Sequence, residues 1–388
     1  MKGEIDKEIY CLSKINSTTT KELALHYDLT IPIARFVSEN FSKLSFPFKR
    51  YQIQKVWRGE RPQFGRYREF YQADIDVIDS EALPHYYDAE VLVVGVSSML
   101  SLNIPEFKVG VSNRKIYEGY LKGIGVKDTV PVLRIIDKLD KISLEGIQKL
   151  LVDSCQLEKA QAEQCTALAK VEYQAYSTPE LIKYLNVDHE LFVQGLTELT
   201  QLNSNIELMA DPMVRSRIHT DFSFVRGFDY YTGSIFEGKF TDGSGYGSIC
   251  SGGRYDNLLE GYGTKKLPGV GFSIGLTRIL AKLEEKASGL VDFPKYSSDF
   301  CLVLEGEESL QRKILHLGAE LKNENFSVNV ISVTKLKKGL QISARLGSAV
   351  TVFEFDGKLV FKRMSDGLQM EVSFDESIVE KARTFIEN

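Results

Sequence analysis

The segment Arg58-Gly-Glu-Arg-Pro-Gln-Phe-Gly-Arg-Tyr-Arg-Glu-Phe-Tyr-Gln-Ala-Asp-Ile-Asp76 decides the fold. Val225-Arg-Gly-Phe-Asp-Tyr-Tyr-Thr-Gly233 answers it from far along the chain. The first sets Arg58, Arg61, Arg66 and Arg68 around a Pro-Gln-Phe-Gly turn. It then places Glu69, Gln72, Asp74 and Asp76 at intervals that alternate or group on one face of a strand. Such a ribbon can grip a polyanion and a small cationic ligand together. A solvated, arginine-rich sheet edge has the same composition, so this segment alone leaves both readings open.

With 388 residues, 43% hydrophobic and 26% charged, the chain has room for two or three domains with buried cores. No apolar stretch approaches the roughly 20 residues that span a bilayer, and the start MKGEIDKEIYCLS has no apolar core of a signal peptide. A cytoplasmic location, with no membrane partner, is the expectation. Cys11, Cys155, Cys165, Cys250 and Cys301 are scattered without a C-x-x-C pair, which argues against a disulfide framework or a structural metal. The net charge of -5 says little about nucleic acid, because phosphate affinity depends on local patches.

Working outward, the strand-like runs EIYCLS, ELALHYDL, FKRYQIQKVW and REFYQADIDVI predict an antiparallel sheet from Glu8 to about Asp79. Ser80 to Leu121 reads as a helix ending near Leu102, a strand from Phe107 to Ser112, and a helix after Asn113. From about Gly123 to Arg217, apolar residues recur at three- and four-residue intervals, the period of helices. Strands and glycines return from Asp221 to Leu280. A sheet interrupted by a helical insertion is the economical reading: an α+β catalytic domain over 1–122 and 218–284, with the insertion at 123–217. Residues 285–296 form a linker. Over 297–388, strands and helices alternate and predict a C-terminal α/β domain on a largely parallel sheet, with a hairpin and a last helix.

Chemistry concentrates in the interrupted sheet. Arg58, Arg226 and Arg278 sit in strongly patterned contexts, and fixed guanidinium forks can neutralise a phosphate without reorganising during reaction. The Gly252-Gly253 pair and the run Gly269 to Gly275 permit close backbone approach to a ligand, and hairpin turns would look the same. Neither a G-x-x-x-x-G-K-[ST] element nor a dinucleotide fingerprint is present, so ATP, if it binds, does so on an antiparallel sheet.

The set Asp28-Leu-Thr30, Arg58 to Asp76, Arg226 to Gly233, Gly252-Gly-Arg-Tyr-Asp256 and Gly269 to Arg278 resembles histidyl-tRNA synthetase of class II, in order and spacing. The resemblance covers nearly the whole chain. RGFDYYTG with GGRYD is specific to that family and its close relatives, whereas the arginine-glutamate strand and the closing glycine-arginine segment are general to class II.

The resemblance implies ligation of L-histidine to tRNA(His) through a histidyl-adenylate, with ATP and its Mg2+ as substrate. It places Arg58 and Arg226 on opposite sides of the α-phosphate, and Glu60, Arg66 and Arg278 on the nucleotide. Asp28, Thr30 and Gln72 would hold the α-amino and carboxylate groups, while Asp76, Tyr231 and Tyr255 would meet the imidazole. Arg226 and Tyr230 join the histidine-binding set, although Tyr230 also fits core packing. Asp74 is read as the strand neighbour pointing away from the pocket, and Asp229 as capping the turn. The C-terminal domain would bind the anticodon, with Lys335, Lys337 and Lys338 as candidates; a solvated helix face would look alike.

Departures from the family pattern temper these expectations. The long helix and proline-bearing strand of class II motif 1 are not found, which bears on the homodimer expected of the family. His26 stands where arginine is common, and Thr277 where glutamate is usual. Two non-catalytic relatives share the texture: a regulatory partner of a short ATP phosphoribosyltransferase and an uncharged-tRNA sensor.

Overall fold

The computed structural model describes residues 8–14, 23–140, 142–172, 178–224, 231–257, 267–285, 296–374 and 378–387. The chain divides into two compact units, Met1–Leu290 and Val291–Asn388. Most of the expected linker, 286–295, lies outside the described residues.

The first unit begins with a two-residue pairing of β1 (Cys11–Leu12) and β2 (Leu23–Ala24), followed by helix α1 (Thr30–Asn40). The strand-like reading of Glu8 to Asp79 misses α1. Its β-branched residues Ile31, Ile33 and Val37 suit a strand, but Ile33, Ala34 and Val37 share one helical face and are buried. Pro32 lies in the first turn, where the absent N–H breaks no helical bond. Asp28 Oδ1 accepts from Ile31 N at 3.0 Å and so satisfies one free donor of that turn.

Strands β3 (Phe48–Trp57) and β4 (Glu69–Ile78) pair as a hairpin, and α2 (Tyr86–Leu100), β5 (Phe107–Asn113) and α3 (Arg114–Gly123) follow. Asn113 ends β5 and caps α3, accepting from Lys115 N at 2.9 Å. The chain then leaves the sheet for α4 (Thr129–Ile136), α5 (Leu144–Cys155), α6 (Lys159–Cys165), α7 (Thr178–Leu185), α8 (Glu190–Met209) and α9 (Pro212–Arg215). It returns with β6 (Ile218–Thr220), β7 (Ser234–Phe240), β8 (Ser248–Tyr255), β9 (Gly269–Gly275) and α10 (Leu276–Leu283).

Strands β3 to β9 form one sheet in the order β3-β4-β9-β8-β7-β5-β6, antiparallel throughout except for β5 beside β6. The helical stretch therefore interrupts a single sheet. Helices α2 and α8 cover one face, burying Ala89, Leu92, Val96, Leu196 and Leu199 in a core shared with Val77, Val270 and Phe272. Among the described residues, no helix is long and apolar enough to cross a membrane.

The second unit runs β10 (Ser298–Leu304), α11 (Glu308–Asn323), β11 (Val328–Ser332), α12 (Leu336–Leu346), β12 (Ser348–Phe355), β13 (Lys358–Arg363), β14 (Gln369–Val372) and α13 (Ile378–Glu387). Its sheet order is β11-β10-β12-β13-β14; β10 is parallel to both its neighbours, and the remaining pairings are antiparallel. The sheet is thus only half parallel. Asp356 and Gly357, with φ of 50° and 77°, form a tight two-residue turn that sends β13 back along β12. Phe300, Leu302, Ile314, Leu317, Val350, Phe361 and Phe385 fill the core of this unit.

One buried ion pair fastens β8 to α2. Arg254 Nη2 lies 2.7 Å from Asp88 Oδ1, and Ser234 Oγ donates to Asp88 Oδ2 at 2.7 Å. Burial pushes the Asp88 carboxyl up, but nearby His85, the Arg254 charge and the hydrogen bonds from Arg254 and Ser234 hold it below its ordinary value. Removing one partner leaves the other charged and unpaired, so Arg254→Met is expected to lower unfolding stability by about 3–5 kcal/mol. In urea denaturation, Arg254→Met/Asp88→Leu should recover at least half of that loss; equal stability of Arg254→Met and the parent would contradict the pairing.

Candidate active site

The hairpin register sets the site. Arg50 lies opposite Asp76, Gln52 opposite Asp74 and Gln54 opposite Gln72, while β9 places Gly271, Ser273 and Gly275 against Asp76, Asp74 and Gln72 on the other side. Because side chains alternate along a strand, Gln72, Asp74 and Asp76 share one face, and Asp74 does not point away from it. All three are buried. Glu69 lies on the opposite face, where Oε1 pairs with Lys55 Nζ at 2.7 Å and Oε2 accepts from Trp57 Nε1 at 2.8 Å.

Asp76 is held from two sides. Tyr255 Oη donates to Oδ1 at 2.7 Å, and Arg50 Nη2 stands 2.8 Å from Oδ2. Arg50 also donates to Leu29 O at 2.9 Å and to Gln52 Oε1 at 2.8 Å, and its approach to Oδ2 is an ion pair without hydrogen-bond alignment. Burial raises the Asp76 carboxyl despite Arg50 and Tyr255 pulling it down, and burial followed by the Asp76 charge pushes the Tyr255 hydroxyl well up.

Asp74 is pushed up to about 7, by burial first and by Asp76 second, against the hydrogen bond from Ser273 and the Arg50 charge. Burial also raises Asp28, which Ile31 N and the Arg58 charge partly offset. Asp28 in turn raises both Asp74 and Asp76, which places the three carboxylates within electrostatic reach of one another.

Gln72 Oε1, Asp74 Oδ1 and Asp76 Oδ2 are buried acceptors with no hydrogen-bond donor. Gln72 turns its amide nitrogen to Ser273 Oγ instead. Free acceptor positions on Gln72 and Asp74, beside an Asp76 Oδ2 met only by the Arg50 charge, lie at alternate strand positions roughly 7 Å apart and suit a ligand that carries several N–H groups and positive charge.

The glycines of β8 and β9 make this face possible. A Cβ at Gly271 would collide with the Asp76 carboxylate, and one at Gly269 with the Tyr255 ring. At Gly252 a Cβ would stand 2.9 Å from Phe272 Cα, and at Gly253 the same distance from the Tyr231 ring. These glycines lie within strands, not in hairpin turns, and the close approaches they permit are to the protein's own groups.

Arg58 caps the hairpin end of the site. Its Nε donates to Tyr27 O at 3.1 Å, and its guanidinium sits 4.7 Å and 5.1 Å from the Tyr27 and Phe70 ring centres. Glu60 pairs with Arg66 at 3.1 Å inside the hairpin loop. Arg278, at the start of α10, donates to Gly65 O at 2.7 Å and to Ser248 O, so it ties the hairpin turn to β8. Thr277 Oγ1 accepts from Tyr71 N at 2.9 Å, which gives that residue a role at the edge of β4. His26 Nδ1 lies 3.2 Å from Gln54 Nε2.

The structure thus brings Asp28, Gln72, Asp76 and Tyr255 together, with Thr30 opening α1 beside Asp28, Tyr231 beside Gly253 and Arg58 within reach of Asp28. Arg226, Asp229 and Tyr230 lie outside the described residues. Sequence reasoning missed Arg50, Gln52 and Ser273 and misplaced Asp74. The alternation of Arg50, Gln52 and Gln54 in β3 was the available signal. In the second unit, Lys335 stands at the N-cap of α12 and Lys337 and Lys338 in its first turn; all are exposed, and none pairs with a described carboxylate.

The family model described as histidyl-tRNA synthetase matches residues 3–279. A histidine--tRNA ligase of Thermobifida fusca is 38% identical over 349 residues, spanning 89% of this chain and 78% of that protein. One of Finegoldia magna is 36% identical over 389 residues, spanning 98% and 87%. The crystal structure of histidyl-tRNA synthetase from Nostoc sp. PCC 7120 superposes with a TM-score of 0.69 at 28% identity, over 97% of this chain and 86% of that one. A Bacillus halodurans structure titled as an ATP phosphoribosyltransferase regulatory subunit/histidyl-tRNA synthetase shares the fold at 20% identity, with a TM-score of 0.64 over 87% of this chain and 82% of that one. With its family match over most of the sequence and relatives aligned across the same sheet and site, the chain belongs to the histidyl-tRNA synthetase family.

Proposed function

We propose that this protein ligates L-histidine to tRNA(His) in two steps through a histidyl-adenylate. The observation that carries this reading is the row of orphaned acceptors on β4 beside an aromatic-clamped Arg58. One end of the site asks for N–H donors and positive charge, the other for an anion. Histidine with ATP supplies both.

In the first step a histidine carboxylate oxygen attacks the α-phosphorus of ATP, and pyrophosphate leaves. The carboxylate is already a nucleophile, so the site needs positioning and charge stabilisation more than a base. Arg58 on one side and Arg226 on the other would neutralise the developing charge. Arg278, Arg66 and Glu60 would seat the nucleotide, whose Mg2+ enters as part of the substrate. Asp28, Thr30 and Gln72 would hold the amino acid's ammonium and carboxylate ends. Asp76, Tyr255, Tyr231 and Tyr230 would surround the imidazole, whose two ring nitrogens need hydrogen-bond partners. In the second step a terminal ribose hydroxyl of the tRNA attacks the carbonyl carbon, and AMP leaves.

The second unit would contact the anticodon end of the tRNA. Lys335, Lys337 and Lys338 support this because they crowd positive charge at the positive end of a helix, an arrangement unfavourable unless an anion approaches. Homodimerisation and a cytoplasmic location belong to the same reading.

Histidine-dependent ATP–pyrophosphate exchange tests the first step. The parent should exchange, and Arg58→Ala should lose roughly 100- to 1000-fold in kcat with its fold intact; exchange at the parent rate would remove Arg58 from the reaction. For the second unit, filter binding of tRNA across a salt series should give a steep dependence. Lys337→Gln/Lys338→Gln should flatten the slope of log K against log salt by about 0.7–0.9 for each phosphate that is no longer neutralised. An unchanged slope would exclude these lysines.

A further inference from the structure

Asp74 belongs to none of the assignments carried by the family resemblance, yet it is a buried carboxyl on the site face with no cation at ion-pair distance among the described residues. Its exposure is 4%, and Oδ1 has no hydrogen-bond partner. The nearby cation, Arg50, stands at ion-pair distance from Asp76. The groups that act on Asp74 are Asp76 on its own strand, Arg50 on β3, Ser273 on β9 and Asp28 ahead of α1. Asp74 and Asp76 therefore share the Arg50 guanidinium while Arg58 offsets Asp28, and burial still raises all three carboxyls, so part of the pocket's negative charge is left unmet by the described residues.

We propose that Asp74 is a direct substrate contact: its free Oδ1 accepts an N–H of bound L-histidine and balances part of that ligand's positive charge. This rests on the histidine reading of the site. Asp74 lies between Gln72 and Asp76 on the same face, so a ligand spanning those two residues passes over it. A buried acceptor that gains a donor from the ligand favours a ligand that has one and penalises analogues that lack it.

The buried carboxyl gives the fold a pH signature. The folded-state pKa of Asp74 is about 7, above the ordinary 3.8. The fold therefore disfavours the charged form, and the resulting loss of stability accumulates as pH rises from about 4 to about 7 and then levels off. Asp74→Asn, which cannot ionise, should gain thermal stability relative to the ligand-free parent across that window.

Calorimetric titration of L-histidine into the full chain, at pH 6, 7 and 8, tests the proposal. At pH 8 the parent carries an ionised Asp74, and Asp74→Asn should bind roughly 10- to 100-fold more weakly. The gap should narrow at pH 6, where the parent's carboxyl is largely protonated; the ligand's own ring titrates alike in both proteins. Asp74→Ser should show the same loss at pH 8. Binding by Asp74→Asn within twofold of the parent at pH 8 would overturn the contact and leave the histidine reading standing. Unfolding of both variants would show the carboxylate to be structural and also overturn it. A parent that binds no histidine at any pH would contradict the proposed function itself.

Discussion

The structure depends on the register of β4. Gln72, Asp74 and Asp76 face the site, and the intervening Ala73, Ile75 and Val77 face the core, where Val77 packs in the cluster beneath α2 with Ala73 and Ile75 against it. A slip of one residue against β3 or β9 would exchange the two faces, bringing Ala73, Ile75 and Val77 to the site and Gln72, Asp74 and Asp76 to the core. Ten consecutive pairs with β3 and seven with β9 hold that register, so the polar face cannot slip without dismantling the centre of the sheet.

That constraint explains features that are separate in sequence. Gly269 and Gly271 are small so that Tyr255 and Asp76 can lie across β9. Asp28 serves α1 and the site together, because the helix start that it satisfies is laid over the polar face. Arg50 steadies Asp76 but leaves Asp74 and Asp28 in a poorly polarisable setting, which is why burial raises all three carboxyls. The buried carboxyls are held in an unfavourable electrostatic setting by the packing around them, and the buried Arg254–Asp88 pair helps fix β8 in place beside them. Under the proposed function, binding of L-histidine would relieve part of that charge.

Much of this was legible in the sequence because it is local. The Arg58 to Asp76 hairpin, the alternation of the second unit and the helical stretch between strands follow from turn chemistry and periodicity. Gln72, Asp76 and Tyr255 were selected through a family resemblance and meet in space. What was not legible depends on inverted amphipathicity. In β3 the side chains turned inward are Arg50, Gln52 and Gln54, while Tyr51 and Ile53 on the other face are 79% and 61% exposed. A rule that sends apolar residues inward assigns that strand the wrong face and discards Arg50 as solvated. Misplacement of Asp74 came from treating it singly, although its two-residue spacing from both Gln72 and Asp76 requires all three to share a face. Helix α1 was hidden by β-branched residues whose burial obeys a helical period. The partner of Arg254 is 166 positions away in the chain, a pairing that no local pattern encodes.

The central claim is that the orphaned acceptors of β4 are completed by the amino-acid substrate. A crystal structure of the full chain with L-histidine bound tests it most directly. The account predicts ligand nitrogens at about 2.7–3.2 Å from Asp74 Oδ1 and from at least one of Gln72 Oε1 and Asp76 Oδ2, the range of a direct hydrogen bond. Histidine seated elsewhere, with these three oxygens bonded only to water, would contradict it.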